Sequence, residues 1–241
     1  MRLWTLPWAL VLVVFFRAAA SAQSGGSPEQ HYCMGCNFAG AQLAGRDFSG
    51  SVLVGSNFGG AQLSGASFRG AKIVAANFQG ADLSRVSFDA AECTACNFQA
   101  AKLDGATFSG ARIVAANFAG FASALTDSAL RDLLGACVVC NFQTASLAGH
   151  DLSGTSTIGV DLTRADLRNT RFDGAVLCWY VVNGPERSTK CATLKEARVD
   201  GASFRSVRIC RDPSDPTTCV PVTAAALQRD SGSQLSGAAL P

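Results

Sequence analysis

Ten cysteines are the residues of this chain best suited to chemistry. Six of them form three Cys-x-x-Cys motifs: Cys33-Met34-Gly35-Cys36, Cys93-Thr94-Ala95-Cys96 and Cys137-Val138-Val139-Cys140. Thiols at this spacing serve as redox dithiols, as half of a zinc site or as haem attachment points. Haem attachment requires a histidine directly after the second cysteine, and here that residue is Asn37, Asn97 or Asn141. Which of the remaining chemistries applies depends on the elements that position the sulfurs.

Those elements follow from internal periodicity, because neither the helical period of 3.6 nor the strand period of 2 describes the chain. A large apolar residue returns every five positions: Phe38, Leu43, Phe48, Leu53, Phe58, Leu63, Phe68, Ile73 and onward, through Cys93, to Phe118. Two residues before each centre the side chain is usually small, as at Ala61, Ala66 and Ala71. Both positions therefore point inward. Two residues after the centre, glycine recurs at Gly40, Gly45, Gly50 and many later units, which predicts a corner that a Cβ would hinder. One unit is thus one short side plus one turn.

A second period sets the number of sides. Asn-Phe recurs at 37/38, 57/58, 77/78, 97/98 and 117/118, so twenty residues, or four sides, make one coil. Phenylalanine and leucine/isoleucine centres alternate around the square, each stacking on its own kind in the next coil. Units such as Ala81-Asp82-Leu83-Ser84-Arg85 and Ala165-Asp166-Leu167-Arg168-Asn169 resemble the pentapeptide-repeat family, whose signature is a small residue, a polar residue, Leu or Phe, and two variable positions. The resemblance covers about residues 33 to 210 and implies an all-β fold, a right-handed quadrilateral parallel β-helix. It is specific for fold and poorly specific for function.

On such a coil a four-thiolate zinc site is excluded. The first two motifs lie 60 residues, three coils, apart. That is about 14 Å along the axis at the strand-stacking distance, whereas zinc needs each sulfur at about 2.3 Å. A thioredoxin-like dithiol needs a strand-helix setting that the repeat does not provide. Within each motif the first cysteine is a centre and the second the next small inward position, so the pair brackets a corner. A turn brings its first and fourth Cα atoms within about 7 Å, which a disulfide can bridge. The expectation is corner disulfides Cys33–Cys36, Cys93–Cys96 and Cys137–Cys140, with Cys178–Cys191 and Cys210–Cys219 stapling two excursions. Reduced cysteines acting as small core residues are the alternative, and a redox or metal role the third reading.

After Phe118 the register breaks. Residues 121–136 read as an inserted loop with a short helix, capped at Thr126 or Asp127, with Leu130, Leu133 and Leu134 as its apolar stripe, bulging from the solenoid. The repeat resumes at Phe142, has a weak side at Thr157, and reaches Leu177. Residues 178–191 form a second excursion before Leu194, Val199, Phe204 and Ile209 add a last coil. The 29 centres amount to about seven coils. The solenoid thus spans 33–210, preceded by a leader (1–22) and a linker (23–32) and followed by a cystine loop and flexible tail (211–241).

The leader carries Arg2, an apolar stretch from Leu10 to Phe16 and the small-x-small site Ala20-Ser21-Ala22, the pattern of a secretory signal peptide cut before Gln23. The apolar run is too short for a spanning helix, so no membrane span is expected after its removal. A periplasmic or secreted location follows, and an oxidising compartment suits paired cysteines. Over the whole chain 20 Lys and Arg oppose 18 Asp and Glu; without Arg2 and Arg17 the balance is 18 minus 18, or zero. A neutral rod neither attracts nucleic acid nor imitates it. Some pentapeptide-repeat relatives resemble duplex DNA in shape and charge and modulate topoisomerase, a reading that needs an acidic cytoplasmic rod.

Two surface features remain. The outward column Asn37, Asn57, Asn77, Asn97 and Asn117 reads as an amide ladder between coils, or else as a repetitive ligand face. From Arg164 to Arg211 ten basic residues meet five acidic ones. A solvated or internally paired face accounts for them better than an anion site. His31 and His150, the only histidines, have no catalytic partner placed beside them by the repeat. The reading is a non-enzymatic structural or protein-interaction scaffold without cofactor or metal, whose partner is a protein or cell-envelope component. A thiol-disulfide redox protein is the alternative and a DNA-mimicking topoisomerase modulator the more remote one.

Overall fold

The computed structural model describes residues 32–122, 124–183, 186–211, 216–231 and 235–241. The expected leader and nearly all of the linker lie outside them. On one side of the molecule the strands β1 (Tyr32–Met34), β2 (Val52–Val54), β3 (Lys72–Val74), β4 (Glu92–Thr94), β5 (Arg112–Val114) and β6 (Cys137–Val138) form a parallel sheet in sequence order. Each strand is three residues or fewer, because a side holds only one inward centre before the next corner. Successive strands pair twenty residues apart, Leu53 on Ile73 and Ile73 on Cys93. Single parallel bridges make the other three sides, at Asn57↔Asn77, Gln62↔Asp82 and Ser67↔Ser87. The fold is a four-sided parallel β-solenoid, as the periodicity predicts.

The interior is made of side-chain columns. Phe58, Phe68, Phe78 and Phe88 are fully buried or nearly so. Phe58 stacks on Phe78 with ring centroids 5.0 Å apart and planes 8° from parallel. Phe68 meets Phe78 edge-on at 5.6 Å and 89°. Stacking along the axis and edge-to-face contact across it satisfy both favourable aromatic geometries at once. Burial of each phenylalanine contributes about 1.5 to 3 kcal/mol.

The corners correct one physical reading. Gly40 and Gly70 have φ of +65° and +62°, and a Cβ added to either would meet nothing within 4 Å. Ala75 and Arg85 hold the same corner at φ of 53° and 56°. Glycine is favoured there because it adopts the left-handed backbone without cost, not because space is short.

The insertion also differs from expectation. Helix α1 (Asp127–Ala136) begins at Thr126, whose hydroxyl accepts from the Ala129 N–H. It does not bulge from a complete coil. The Thr107 column has no bridge at the level of α1 among the described residues and resumes at Asp151, whereas the Lys102 column keeps a ladder bond there, from the Ser146 N–H to the Phe121 carbonyl at 2.7 Å. The helix therefore takes the place of a side of one coil. Leu130, Leu133 and Leu134, all fully buried, fill the core there. Arg131 donates to the Asp151 carbonyl at 2.8 Å, and His150 Nδ1 meets Asp127 at 2.7 Å, fixing the helix to the next coil.

Six strands bound about five turns of regular ladder, fewer than the seven coils expected from counting centres. Beyond β6 the stack continues through isolated bridges, because α1 and the second excursion interrupt the strand pairing. That excursion is an antiparallel hairpin of β7 (Val176–Asn183) and β8 (Glu186–Cys191), with Cys178 opposite Cys191. With β9 (Arg208–Cys210) and β10 (Cys219–Pro221) it forms a second sheet, ordered β10-β9-β7-β8. The described residues 219–231 and 235–241 form a cap rather than a fraying tail. Helix α2 (Ala224–Ser231) buries Leu227, and Val222 and Leu235 are buried beside it. Backbone bonds from Leu194 to Ser231, Gly201 to Gly237 and Phe204 to Ala239 occupy donors of the last coil. Apolar residues with no regular period can still plug an end, and this is what counting by fives overlooked.

Candidate interaction surface and cysteine sites

The cysteines sit where the coil geometry places them. Cys93 and Cys96 bracket the corner after β4, with Cα atoms 6.1 Å apart, and their sulfurs are joined. Cys33 and Cys36 are joined at the equivalent corner after β1, at a Cα separation of 5.8 Å. Cys178–Cys191 ties the two strands of the hairpin, and Cys210–Cys219 ties β9 to β10. The fifth expected pair is corrected: Cys137 and Cys140 are free thiols, both buried. Cys137 is at once the C-cap of α1 and the first residue of β6, and its N–H still bonds the Leu134 carbonyl. This first cysteine is set by a helix end, whereas Cys33 and Cys93 are central residues of three-residue strands. Burial, followed by the neighbouring Cys140 thiol, pushes the Cys137 thiol well above its ordinary value. Both sulfurs are buried, whereas exchange chemistry needs an accessible one.

The asparagine column is a continuous ladder. Asn77 Nδ2 donates to Asn57 Oδ1 at 3.1 Å, Asn97 to Asn77 at 3.2 Å and Asn117 to Asn97 at 3.2 Å, while Asn57 reaches the exposed Asn37 at 3.3 Å. Each of these oxygens also accepts a backbone N–H two residues on, as Asn77 does from Gln79 at 3.1 Å. The oxygen is thus engaged twice, so the column supports the stack instead of offering a free row of acceptors. The sixth rung, Asn141, was legible as the Asn-Phe after Cys140 and belongs to the column, bridging Asn117 and Asp161.

Charged residues pair along and across the coils. On the strand face Lys72, Glu92 and Arg112 lie in register on consecutive strands, alternating in sign. At the basic C-terminal end Asp166 takes Arg168 at 2.6 Å and Arg198 at 3.7 Å. Arg171 lies 3.5 Å from Asp151 and 3.7 Å from Asp173, and Arg164 contacts Glu196 at 2.6 Å. The Arg168 guanidinium, hydrogen-bonded to Asp166, holds that carboxyl down at about 2. Four of the ten basic residues of that stretch, Arg164, Arg168, Arg171 and Arg198, are thus paired with carboxylates of the same chain. No group of three or more metal-ligating side chains is assembled among the described residues. No described helix is long and apolar enough to cross a membrane. His31 lies outside the described residues.

Comparison with known proteins agrees with this architecture. The family model of pentapeptide repeats matches eight copies, over residues 32–70, 60–89, 91–120 and 140–177, more than half of the chain. No curated protein matches in sequence. Among solved structures, a pentapeptide repeat protein of the Arabidopsis thaliana thylakoid lumen is 34% identical, over 46% of this chain and 83% of its own, with a TM-score of 0.35. HetL, a pentapeptide repeat protein involved in heterocyst differentiation regulation in the cyanobacterium Nostoc, is 18% identical over 75% of this chain and 76% of its own, with a TM-score of 0.40. QnrB1, a plasmid-mediated fluoroquinolone resistance protein, is 14% identical over 86% of this chain and 91% of its own, with a TM-score of 0.54. The gap in the family match between residues 120 and 140 is where α1 takes the place of a side of the coil. With the repeats matched and their stacking in view, the chain belongs to the pentapeptide repeat family.

Proposed function

We propose that this protein is an exported, non-enzymatic scaffold whose rigid side faces bind a protein or another component of the cell envelope. The observation that carries the reading is the set of four joined cysteine pairs on one solenoid, at two corners and across two excursions. Pairs of this kind persist in oxidising compartments. The leader ending at Ala22 supplies the route, and the 34% identical relative is by its name a lumenal protein. Family members are generally non-enzymatic scaffolds. The sulfurs of the motifs at Cys93 and Cys137 point into the core, which weighs against a thiol-disulfide exchanger. The likeness to QnrB1, at 14% identity, is one of fold and brings no activity with it.

Fractionation of expressing cells followed by crosslinking tests the proposal. The expected result is a processed chain in the periplasm or medium, crosslinked to a discrete partner and inactive in insulin reduction. An unprocessed cytoplasmic chain sinks the export reading. Insulin reduction that disappears when one cysteine pair is changed to alanine sinks the non-enzymatic one.

A further inference from the structure

The outward face of the six-strand sheet differs from the other three sides of the solenoid. One of its two outward columns runs Val54, Val74, Thr94, Val114, Val138 and Ile158 from coil to coil, in register. Thr94 is its one polar member, and Val74 is 43% exposed. On the coil of Val74 the equivalent positions of the other sides are Gln79, Ser84 and Asp89. The corner beside this column is apolar as well, since Ala75, Ala95, Ala115 and Val139 are all exposed there. A contiguous exposed apolar stripe of this kind marks an interaction surface. The other outward column adds charge at its middle, where Lys72, Glu92 and Arg112 follow one another in register and are exposed.

We propose that this face packs against the same face of a second copy, about a two-fold axis that runs parallel to the strands and passes between β3 and β4. Such an axis lays each outward column on its own reversed order, with the two sheets about 10 Å apart. Lys72 of either copy then opposes Glu92 of the other, and the four side chains form a square of alternating sign. Val54 meets Val114, and Met34 meets Val138. The same axis lays β1 on β6, β2 on β5 and β3 on β4, so the whole sheet is covered. Charge and sheet length thus select one register independently. Moving the axis by half a rung sets Glu92 on Glu92 or Lys72 on Lys72, which like charge disfavours. The next register of opposite sign, Glu92 on Arg112, covers only β3 to β6. The face is about 10 Å wide and about 24 Å long, smaller than a standard interface, so the pairing is reversible. It goes beyond the scaffold reading, is independent of export and leaves the other three sides free for a partner.

Sedimentation equilibrium of the purified protein, expressed as the full chain, reads the assembly, and small-angle scattering reads its shape. The expected result is a dimer with a dissociation constant of about 1 to 100 µM, broader than the monomer but hardly longer. Val74→Asp, at an exposed position next to the axis, should weaken the dimer by about tenfold or more while the melting temperature of the dilute protein stays unchanged. Lys72→Glu alone should weaken it by about tenfold or more as well, because it sets a carboxylate against Glu92 of the other copy. Adding Glu92→Lys to that variant should restore the dimer, since the square keeps its alternation with the signs exchanged. A chain that is still monomeric at about 1 mM, a dimer twice as long as the monomer, or a dimer indifferent to Val74→Asp overturns the proposal. So does a double exchange that recovers nothing of what Lys72→Glu lost.

Discussion

Phe142 stacks on Phe118 with ring centroids 4.8 Å apart and planes within 13°, although 24 residues separate them instead of the usual 20. The aromatic column thus runs past α1 without a break. A sixteen-residue insertion (121–136) added to a complete coil would have put 36 residues between the two rings. The helix must instead substitute for part of the coil, and its leucines must do the work of the centres they replace.

Leu133→Ala should therefore destabilise the protein by about 2 to 5 kcal/mol, as truncation of a solenoid centre such as Leu83 does. Denaturant unfolding of the two variants checks this. A Leu133 effect below about 1 kcal/mol, the range of surface substitutions, would return α1 to the status of a peripheral bulge.

The inward and outward assignments give a paired comparison. Phe78 lies between Phe58 and Phe98, and its truncation to alanine should cost about 3 to 5 kcal/mol. Asn77→Ala removes the amide links to Asn57 and Asn97 on a half-buried surface, and should cost about 1 to 2 kcal/mol. Equal shifts in melting temperature would contradict the assignment.

Cysteine pairing is read by intact mass. Four joined pairs predict a gain of eight hydrogens on reduction. Alkylation without reductant should add two groups, at Cys137 and Cys140, and only once the protein is denatured, since both thiols are buried. A gain of ten hydrogens, or alkylation of the native protein, would show that the third corner is closed or accessible.

The Asp166 carboxyl, held at about 2 by Arg168 against an ordinary 3.8, prefers its charged form in the folded state. Its contribution to stability is then present above about pH 4 and is lost as the pH falls towards 2. Asp166→Asn should lower the melting temperature slightly at neutral pH and flatten its decline in that acid window. The effect is small because the group is solvent-screened. A variant whose melting temperature tracks the parent at every pH would remove the pair from the account.

The architecture was legible because a five-residue period, repeated from Phe38 to Phe118, leaves one way to bring every large side chain to a shared axis. The Asn-Phe doublets gave the number of sides as well. The features that escaped are those with no period to count. Leu227 and Leu235 cap the last coil as isolated apolar residues, and α1 shows its role only in the 24-residue spacing of Phe118 and Phe142. The open thiols of Cys137 and Cys140 depend on the chain arriving from a helix end, a tertiary circumstance invisible in a motif shared with two joined corners. The partner surface was the least legible part, because the outward columns mix charges and amides that mostly satisfy one another.

The most direct test of the central claim, that residues twenty apart pile into a single dry core, is a double-mutant cycle. Phe58 and Phe78 are stacked at 5.0 Å, and replacing each by leucine alone and then together should give a coupling of about 0.5 to 1.5 kcal/mol. The same cycle on Phe58 and Phe118, three coils apart, should give additive changes. Additivity at Phe58 and Phe78 would contradict the stacked core and the scaffold built on it.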